Sequence, residues 1–387
     1  MSQLAENPTG REQATEFAAL DCDVHPVFAK DWPEELAPFM TKEWQIRIGG
    51  AAAAYGSSNA GRNLPGVRYQ LPGNPFYPKG GGNLRLDQFG ESGDLPGSDP
   101  VRTAQHLLDT HTIDRAVLVP QSVLGVGVFP TPDVAVTITS AVNEWTAERW
   151  LNSDPRWRGT IAVAQQDPQA AVAEIQKWGE SDRMAAVFIS LGRTMLGDPH
   201  FYPIYEAAQH YELPILVHPH GSEGIYASSP PVGGGLQSYH LDYRVSFQQP
   251  YQMAVANLIS NGVFERFNKL MFAFTECGFS WLPDLMWRMD SFWKGSRSET
   301  PWVKRPPSEY IVERIRFTTQ PMIEPPVHSQ LTAVLEMMHA ERTLMFSSDF
   351  PHWDADDMDQ TARLIPDSIK RRVMVENALE LFGSRIS

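Results

Sequence analysis

Short apolar runs, separated by amphipathic segments, recur along the whole chain. Eight of them are bounded by turn signals, as expected for buried parallel strands, and they occupy residues 18–25, 115–121, 159–166, 185–192, 214–221, 269–278, 315–323 and 343–352. Segments typical of surface helices lie between most of the runs, among them VRTAQHLLDTHT, PQAAVAEIQKWGE and SIKRRVMVENALELFG. Strand and helix alternating eight times predict a (β/α)8 barrel of the TIM type, a fold of the α/β class.

A doubly wound open sheet is the structural alternative for the same elements. No glycine fingerprint follows the first apolar run, and polar residues recur at the ends of many runs. Both features favour the closed barrel.

Two stretches depart from the alternation. Residues 1–17 lack the apolar core of a signal peptide, so they predict a flexible N-terminal arm before a single barrel domain over residues 18–387. Residues 41–100 hold much of the glycine and proline, and they follow the first run at the edge where barrel enzymes build their sites. They predict an insertion that serves as a lid or as an oligomerisation element.

Charge and composition exclude several classes of partner. The chain has 387 residues, of which 42% are hydrophobic, and its formal net charge is −14. An acidic chain disfavours binding to nucleic acid and to anionic membranes, and no apolar run is long enough to span a bilayer. The only two cysteines, Cys22 and Cys277, exclude a disulfide framework and favour a cytoplasmic protein. We expect both thiols to have packing roles.

Polar side chains with metal-binding or acid–base chemistry lie at the ends of the first, fifth, sixth and eighth runs. They are Asp21, Asp23, His25, His218, His220, Glu276, Asp349 and His352. Each comes from an otherwise apolar run, where an unpaired carboxylate or imidazole is costly to bury. Convergence on a metal ion removes that cost, and these ligand types suit zinc, iron and manganese.

The joint pattern on the first, fifth and eighth runs favours one metal site. Its predicted ligands are Asp23, His25, His218 and Asp349. A single histidine at a strand end is more often a hydrogen-bonded residue of the core, so the argument depends on all four together. Asp21 lies one pleat deeper, where a salt bridge or a hydrogen bond is its expected role.

The motifs LDCDVHP, LVHPHG and FSSDFPHWD resemble the amidohydrolase superfamily. The resemblance is to its amidohydrolase-related branch, which includes the aminocarboxymuconate semialdehyde decarboxylase-like enzymes. It implies a divalent metal (zinc, manganese or iron), with one or two ions per chain, a small-molecule substrate, and a homodimer or an oligomer with a related subunit. It also implies that Asp23 replaces the first metal ligand of the family's first-strand motif, that His25 and His218 bind the metal, and that Asp349 both binds it and moves a proton.

The sixth run departs from that branch. The decarboxylases carry a histidine there that helps to activate metal-bound water, and this chain carries Glu276 in TECGFSW. Glu276 could replace the histidine as a base, or it could bind a second metal together with His220 and His352. Two metals about 3.5–4 Å apart would resemble the non-haem iron or iron–manganese oxygenases on this scaffold.

Residues for substrate binding are less clearly marked. Arg193 directly follows the fourth run, where its guanidinium could clamp a substrate carboxylate or form a salt bridge at the barrel rim. Gln121 and Gln320 end the second and seventh runs and are weaker candidates.

Three functions compete on these grounds. The first is a metal-dependent hydrolase or decarboxylase of a small, carboxylate-bearing molecule, with metal-bound water or Lewis-acid activation and Asp349 as the acid or base. The second is an O2-dependent hydroxylase with a dinuclear non-haem iron or iron–manganese centre, which needs Glu276, His220 and His352 as extra ligands. The third is a non-catalytic subunit, which the chemically competent ligand positions disfavour.

Overall fold

The computed structural model describes residues 17–47, 84–90, 93–129, 131–219, 241, 244–245 and 248–387. The predicted N-terminal arm, except for its last residue, lies outside these residues, as do His220 and most of the predicted insertion over residues 41–100. The division into arm, barrel and insertion therefore stays a prediction. Among the described helices, none combines the length and the apolar character needed to cross a membrane.

Eight parallel strands form one sheet, in which each strand pairs with the next along the chain. The strands are β1 Ala19–Val24, β2 Ile113–Leu118, β3 Trp157–Ala162, β4 Met184–Ser190, β5 Ile215–His218, β6 Phe272–Phe274, β7 Ile315–Thr318 and β8 Leu344–Met345. Each overlaps one of the eight predicted runs, which confirms the (β/α)8 barrel.

Backbone contacts between β1 and the chain around β8 join the two ends of the sheet. The Cys22 N–H donates to the Phe346 carbonyl, and the Asp349 N–H donates to the Asp23 carbonyl, each at 3.0 Å. A parallel bridge also links Val24 to residue 350. The first and last strands of a barrel must meet in this way, whereas those of an open sheet do not.

Helices separate the strands along the chain. They are α1 Trp32–Leu36, α2 Pro100–Thr103, α3 Pro132–Trp145, α4 Pro168–Trp178, α5 Tyr202–His210, α6 Gln248–Ser260, α7 Val263–Arg266, α8 Leu282–Ser296, α9 Pro307–Arg314, α10 His328–Met337, α11 Ala340–Thr343, α12 Met358–Leu364, α13 Asp367–Arg371 and α14 Asn377–Phe382. Wider π-helical turns follow α2, α3 and α13 at Ala104–Asp109, Thr146–Leu151 and Arg372–Glu376. Short 3-10 turns lie at Ala37–Phe39, Leu86–Gln88, Gln121–Val123, Val126–Val128, Pro199–Phe201 and Gly383–Arg385.

Helix α4 shows how the sequence sets these bounds. The Asp167 side chain caps its first turn by accepting a hydrogen bond from the Ala170 N–H at 3.0 Å. Pro168 lies in the same turn, where its missing N–H leaves no helical hydrogen bond unmade. Ala171 and Ile175 then lie four residues apart on the buried face, so the helix packs along one stripe.

The strands are buried on both faces, as their apolar sequences predict. Every residue of β1, β3 and β4 is buried. Cys22 and Cys277 are unpaired thiols within the hydrophobic core, in agreement with the packing role expected of them. Because β8 has only two residues, the polar end of its predicted run lies beyond the strand, at the carboxyl-terminal edge of the barrel.

Candidate metal centre

The four predicted metal ligands meet at the carboxyl-terminal end of the barrel. Asp23 lies in β1 and His25 just after it, His218 is the last residue of β5, and Asp349 follows β8. One ligand atom from each lies within 4.8 Å of the others, and all four residues are buried. The structure therefore brings together residues that are up to 326 positions apart in the sequence.

The distances between these side chains are those of atoms that can share one ion. His25 Nε2 lies 2.8 Å from Asp349 Oδ1 and 3.5 Å from Asp23 Oδ1. His218 Nε2 lies 3.2 Å from Asp23 Oδ2. Ligands placed about 2.0–2.2 Å from a metal are separated by roughly 3–3.5 Å, so the cluster has the dimensions of a coordination shell.

Several of these buried atoms have no hydrogen-bond partner among the described residues. They are both carboxylate oxygens of Asp23, Oδ2 of Asp349 and Nε2 of His218. An unsatisfied buried polar atom costs about 1–3 kcal/mol, and more when it is charged. A divalent cation bound by one oxygen of Asp23, by Asp349 Oδ2 and by His218 Nε2 would remove most of this cost, so the residues present fit such an ion.

Backbone carbonyls set the tautomers of both histidine ligands. Nδ1 of His25 lies 2.7 Å from the Val119 carbonyl oxygen, and Nδ1 of His218 lies 2.6 Å from the Pro219 carbonyl oxygen. A carbonyl can only accept, so in each ring Nδ1 carries the proton and Nε2 is left for the metal.

His352 is held by hydrogen bonds through both of its ring nitrogens. Nδ1 lies 2.6 Å from Asp349 Oδ1, and Nε2 lies 2.7 Å from Gln121 Oε1. The ring also stacks on His25 with the centroids 4.4 Å apart. Gln121 was a weaker candidate from the sequence. It contacts His352, which in turn contacts the proposed ligand Asp349, so Gln121 orients His352.

Glu276 lies beside the same group and is linked to a residue that the sequence did not reveal. Its Oε2 lies 3.5 Å from His218 Nε2, and its Oε1 lies 3.4 Å from Arg244 Nη1. Arg244 also forms an ion pair with Asp354 and so connects the loops after β6 and β8. No motif or spacing marks Arg244, which lies between β5 and α6.

Glu276, Asp349 and His352 form a second group of possible ligands, again within 4.8 Å of one another. Asp349 belongs to both groups. Two of the three residues predicted for a second metal therefore come together, and the third, His220, lies outside the described residues.

Asp349 and Glu276 both adopt a left-handed backbone conformation. Their φ angles are +61° and +48°. Residues other than glycine rarely adopt such angles, which cost about 1–3 kcal/mol and cluster at functional sites. The strain falls on the two carboxylates that the sequence singles out at the ends of the sixth and eighth runs.

Burial and mutual contact shift the pKa values of these groups. Burial raises the pKa of Glu276 to about 8, and the negative charge of Asp349 adds to the effect. Burial opposes protonation of His218 and His352, but the adjacent carboxylates of Asp23 and Asp349 outweigh it and raise both pKa values to about 9. Burial would also raise the pKa of Asp349, yet His352 and the other imidazoles hold it below its usual range. Such opposed shifts are typical of catalytic sites.

Asp21 has the structural role expected of it. Its Oδ1 accepts hydrogen bonds from the backbone N–H groups of Asp23 at 3.2 Å and Ser348 at 2.9 Å. Burial raises its pKa to about 7. Asp21 therefore supports the two chain segments that carry Asp23 and Asp349.

The remaining polar candidates lie further from this group. Arg193 is exposed and lines a separate cavity of about 200 Å³ together with Gln165 and His200. None of the four proposed ligands lines that cavity, so a role for Arg193 in substrate binding stays a prediction. Gln320 donates from Nε2 to the Asp354 carbonyl at 3.3 Å, which ties β7 to the loop after β8.

Sequence comparison finds relatives over most of the chain. The family model described as amidohydrolase matches residues 108–384, a span that begins after β1 and so contains neither Asp23 nor His25. A gamma-resorcylate decarboxylase from Rhizobium radiobacter is 24% identical over 303 residues, which cover 72% of this chain and 86% of that protein.

Solved structures of similar fold cover nearly the whole chain. The 5-carboxyvanillate decarboxylase of Novosphingobium aromaticivorans, crystallised with manganese and 4-hydroxy-3-methoxy-5-nitrobenzoic acid, superposes with a TM-score of 0.66 at 19% identity, covering 97% of each chain. An amidohydrolase from Mycobacterium avium subsp. paratuberculosis gives a TM-score of 0.65 at 18% identity and covers 95% of this chain and 100% of that one. At these identities the comparison shows a shared barrel fold.

Proposed function

As the chain belongs to the amidohydrolase family, we propose that it is a metal-dependent decarboxylase of a small aromatic carboxylate. The observation that carries the proposal is the buried group of Asp23, His25, His218 and Asp349, whose unpaired atoms fit one divalent cation. The similar proteins support the type of reaction, since they are named as decarboxylases of gamma-resorcylate and of 5-carboxyvanillate. The hydrolytic reaction, the activation of metal-bound water and the oligomeric state stay predictions.

The four ligands would hold the ion through one oxygen or nitrogen each. Bound there, a divalent cation supplies Lewis-acid polarisation of substrate oxygens and a fixed point for their orientation. A mixture of carboxylate and imidazole ligands suits manganese as well as zinc and iron. The manganese in the similar 5-carboxyvanillate decarboxylase supports manganese as the first metal to try.

Asp349 is the residue that we assign to proton transfer. Its Oδ1 contacts both His25 and His352, while its Oδ2 has no hydrogen-bond partner among the described residues. Because its pKa is held low, Asp349 first takes a proton from His352, whose Nδ1 lies 2.6 Å from Asp349 Oδ1, and then gives it to the ring carbon that bears the carboxylate. The bond to the carboxylate then breaks, its electron pair returns to the ring, and CO2 leaves. Asp349 is then again an anionic carboxylate, and a proton from solvent restores the protonated form of His352.

Glu276 and Arg244 complete this side of the centre. Glu276 stands where the resemblance to the decarboxylase branch implies a histidine, and it is 7% exposed. Arg244 holds the Glu276 side chain close to His218, and its positive charge favours the ionised form of Glu276, which burial disfavours. In the proposal Glu276 acts as an additional base, and Arg244 keeps it in position.

The test measures decarboxylation directly. Protein purified without chelator and supplied with Mn²⁺ is incubated with 2,6-dihydroxybenzoate, 5-carboxyvanillate and unsubstituted benzoate, and CO2 and the aromatic product are quantified. We expect equal amounts of both products from a hydroxylated acid, loss of both on metal removal, and recovery when Mn²⁺ is restored. If the metal-loaded protein released no CO2 from a broad panel of aromatic acids, the proposal would be wrong.

A second candidate function is an O2-dependent hydroxylase with a dinuclear iron or iron–manganese centre. The group of Glu276, Asp349 and His352 beside the first ligand set is the observation that favours it. If metal analysis found two ions per chain, mainly iron, and the protein consumed O2 only with substrate present, the hydroxylase would replace the decarboxylase as the proposed function.

A further inference from the structure

A second cluster of metal-ligating side chains lies apart from the candidate metal centre. It consists of His111, Asp357 and Asp359, and one ligand atom from each lies within 4.8 Å of the others. His111 lies just before β2, and the two aspartates lie at the start of α12. The cluster thus brings the segment before β2 together with the start of α12.

One nitrogen of His111 is left unused by the protein itself. Nδ1 is buried and has no hydrogen-bond partner among the described residues. It lies 3.9 Å from Asp357 Oδ2, which is too long for a hydrogen bond. Two ligands about 2.0–2.2 Å from one ion are separated by roughly 3–3.5 Å when adjacent and by up to about 4.4 Å when opposite, so one cation could bind both atoms.

Asp357 is held in place while one of its carboxylate oxygens lies near His111. Asp357 Oδ1 accepts a hydrogen bond from the Gln360 N–H at 3.0 Å and so caps α12, while Oδ2 is the atom nearer to His111. Asp359 is only 8% exposed, so its carboxylate is largely withdrawn from water. The cap formed by Asp357 fixes the start of α12, where the carboxylates of Asp357 and Asp359 lie near the His111 imidazole.

A polar cavity of about 370 Å³ adjoins this cluster. His111 and Asp357 line it together with Thr110 and Asp356. The cavity has room for water molecules, which would complete the coordination of an ion that has three protein ligands. None of the four proposed ligands of the metal centre lines it, although Ser348, the residue before Asp349, does.

We propose that His111, Asp357 and Asp359 bind a divalent transition-metal ion, zinc or manganese, with a structural role. One imidazole nitrogen and two carboxylates select such an ion over calcium or magnesium, which prefer oxygen ligands throughout. The ion ties the segment before β2 to the chain that carries Asp349 and His352. Residues 353–356 lie between His352 and the cluster, so a fixed Asp357 limits the movement of the catalytic loop.

The test counts bound metal. Wild type and the His111→Gln variant are dialysed to equilibrium against a series of Zn²⁺ concentrations, and zinc per chain is measured by mass spectrometry. We expect the wild type to bind one ion more than His111→Gln, whose affinity at this site should fall at least about tenfold. His106→Gln is the matched control, because His106 lines the same cavity but bonds to Gln88 at 2.7 Å. It should bind as much zinc as the wild type.

Thermal unfolding provides a second measurement. Added Zn²⁺ should raise the Tm of the wild type and of His106→Gln more than that of His111→Gln. If His111→Gln fails to fold, Asp357→Asn takes its place, since asparagine keeps the helix cap while its charge is lost, and it should lose the same ion.

Equal zinc binding by the wild type and the cluster variants would overturn the proposal, since the three residues would then not be ligands. Equal losses in His106→Gln and His111→Gln would also overturn it, since the ion would then have no specific ligands. Neither result depends on the decarboxylase proposal, because metal is counted and turnover is not.

Discussion

His25 Nε2 lies 2.8 Å from Asp349 Oδ1, although the two residues are 324 positions apart in the sequence. The first residue follows the first strand of the barrel, and the second follows the last. A backbone bond from the Asp349 N–H to the Asp23 carbonyl runs beside this contact. The candidate metal centre is therefore built where the two ends of the barrel meet, and variants on either side should affect it in different ways.

Replacing Asp349 by asparagine should separate proton transfer from metal binding. Asparagine keeps the size and one oxygen ligand of the side chain, but it cannot carry the proton. We expect Asp349→Asn to keep much of its metal and to lose about 10²–10⁴-fold in kcat. Metal analysis and turnover of the same preparation check this. Turnover close to that of the wild type would mean that another group carries the proton.

Asp23 and Asp21 provide a matched pair on one strand. Asp23 has two unpaired oxygens at the centre, whereas Asp21 accepts hydrogen bonds from two backbone N–H groups. We expect Asp23→Asn to bind manganese at least about tenfold more weakly, and Asp21→Asn to bind it nearly as well as the wild type. Equilibrium dialysis gives both affinities. If Asp21→Asn lost more manganese affinity than Asp23→Asn, Asp21 would be the ligand and Asp23 the structural residue.

Glu276→Gln distinguishes one metal from two. In the decarboxylase proposal Glu276 is not a metal ligand, so the variant should keep the metal content of the wild type, at one ion per chain in this centre. The dinuclear alternative requires two ions in the wild type and the loss of one in the variant. Because His111→Gln removes the separate structural ion, both proteins should carry that substitution when zinc or manganese is counted.

The free energy of unfolding should decrease as the pH rises from weakly acidic to alkaline values, because of Asp356. Burial raises the pKa of Asp356 to about 7, and its Oδ2 accepts a hydrogen bond from the Met322 N–H at 2.9 Å. A carboxyl group with a higher pKa in the folded than in the unfolded chain stabilises the fold below its unfolded pKa of about 4. That contribution is lost as the pH rises through about 7.

Asp356→Asn should remove this dependence while keeping an acceptor for Met322. We expect the Tm of the variant, relative to that of the wild type, to be higher at pH 8 than at pH 5. Calorimetry at the two pH values measures the difference. A relative Tm that is the same at both would show that Asp356 has no raised pKa in the folded protein.

The barrel could be predicted because a parallel strand buried on both faces must be apolar along its whole length. Phe272–Phe274 and Ile315–Thr318 lie inside predicted runs for this reason. The ends of the strands could not be predicted as well. The eighth run was predicted over residues 343–352, whereas β8 is Leu344–Met345, since the Phe346 N–H donates to the Val373 carbonyl at 2.9 Å and not to a neighbouring strand.

That the four proposed metal ligands lie together was predictable for a related reason, as a carboxylate or imidazole at the end of an apolar run needs a partner. The groups that orient them were not. The Val119 carbonyl that sets the tautomer of His25 is a backbone atom, and every residue has one. Arg244 reaches Glu276 and Asp354 from a segment without any recognisable pattern, so only the folded chain shows that these three residues meet.

The hydrogen bond from the Asp349 N–H to the Asp23 carbonyl makes barrel closure and assembly of the ligand set one event. If the first and last strands separated, the proposed ligands Asp23 and Asp349 would move apart as well. An ion bound by both Asp23 and Asp349 would link the first and last strands of the barrel. Transient separation of the first and last strands would then favour metal release, and a partly folded chain without Asp349 would lack one of the four proposed ligands.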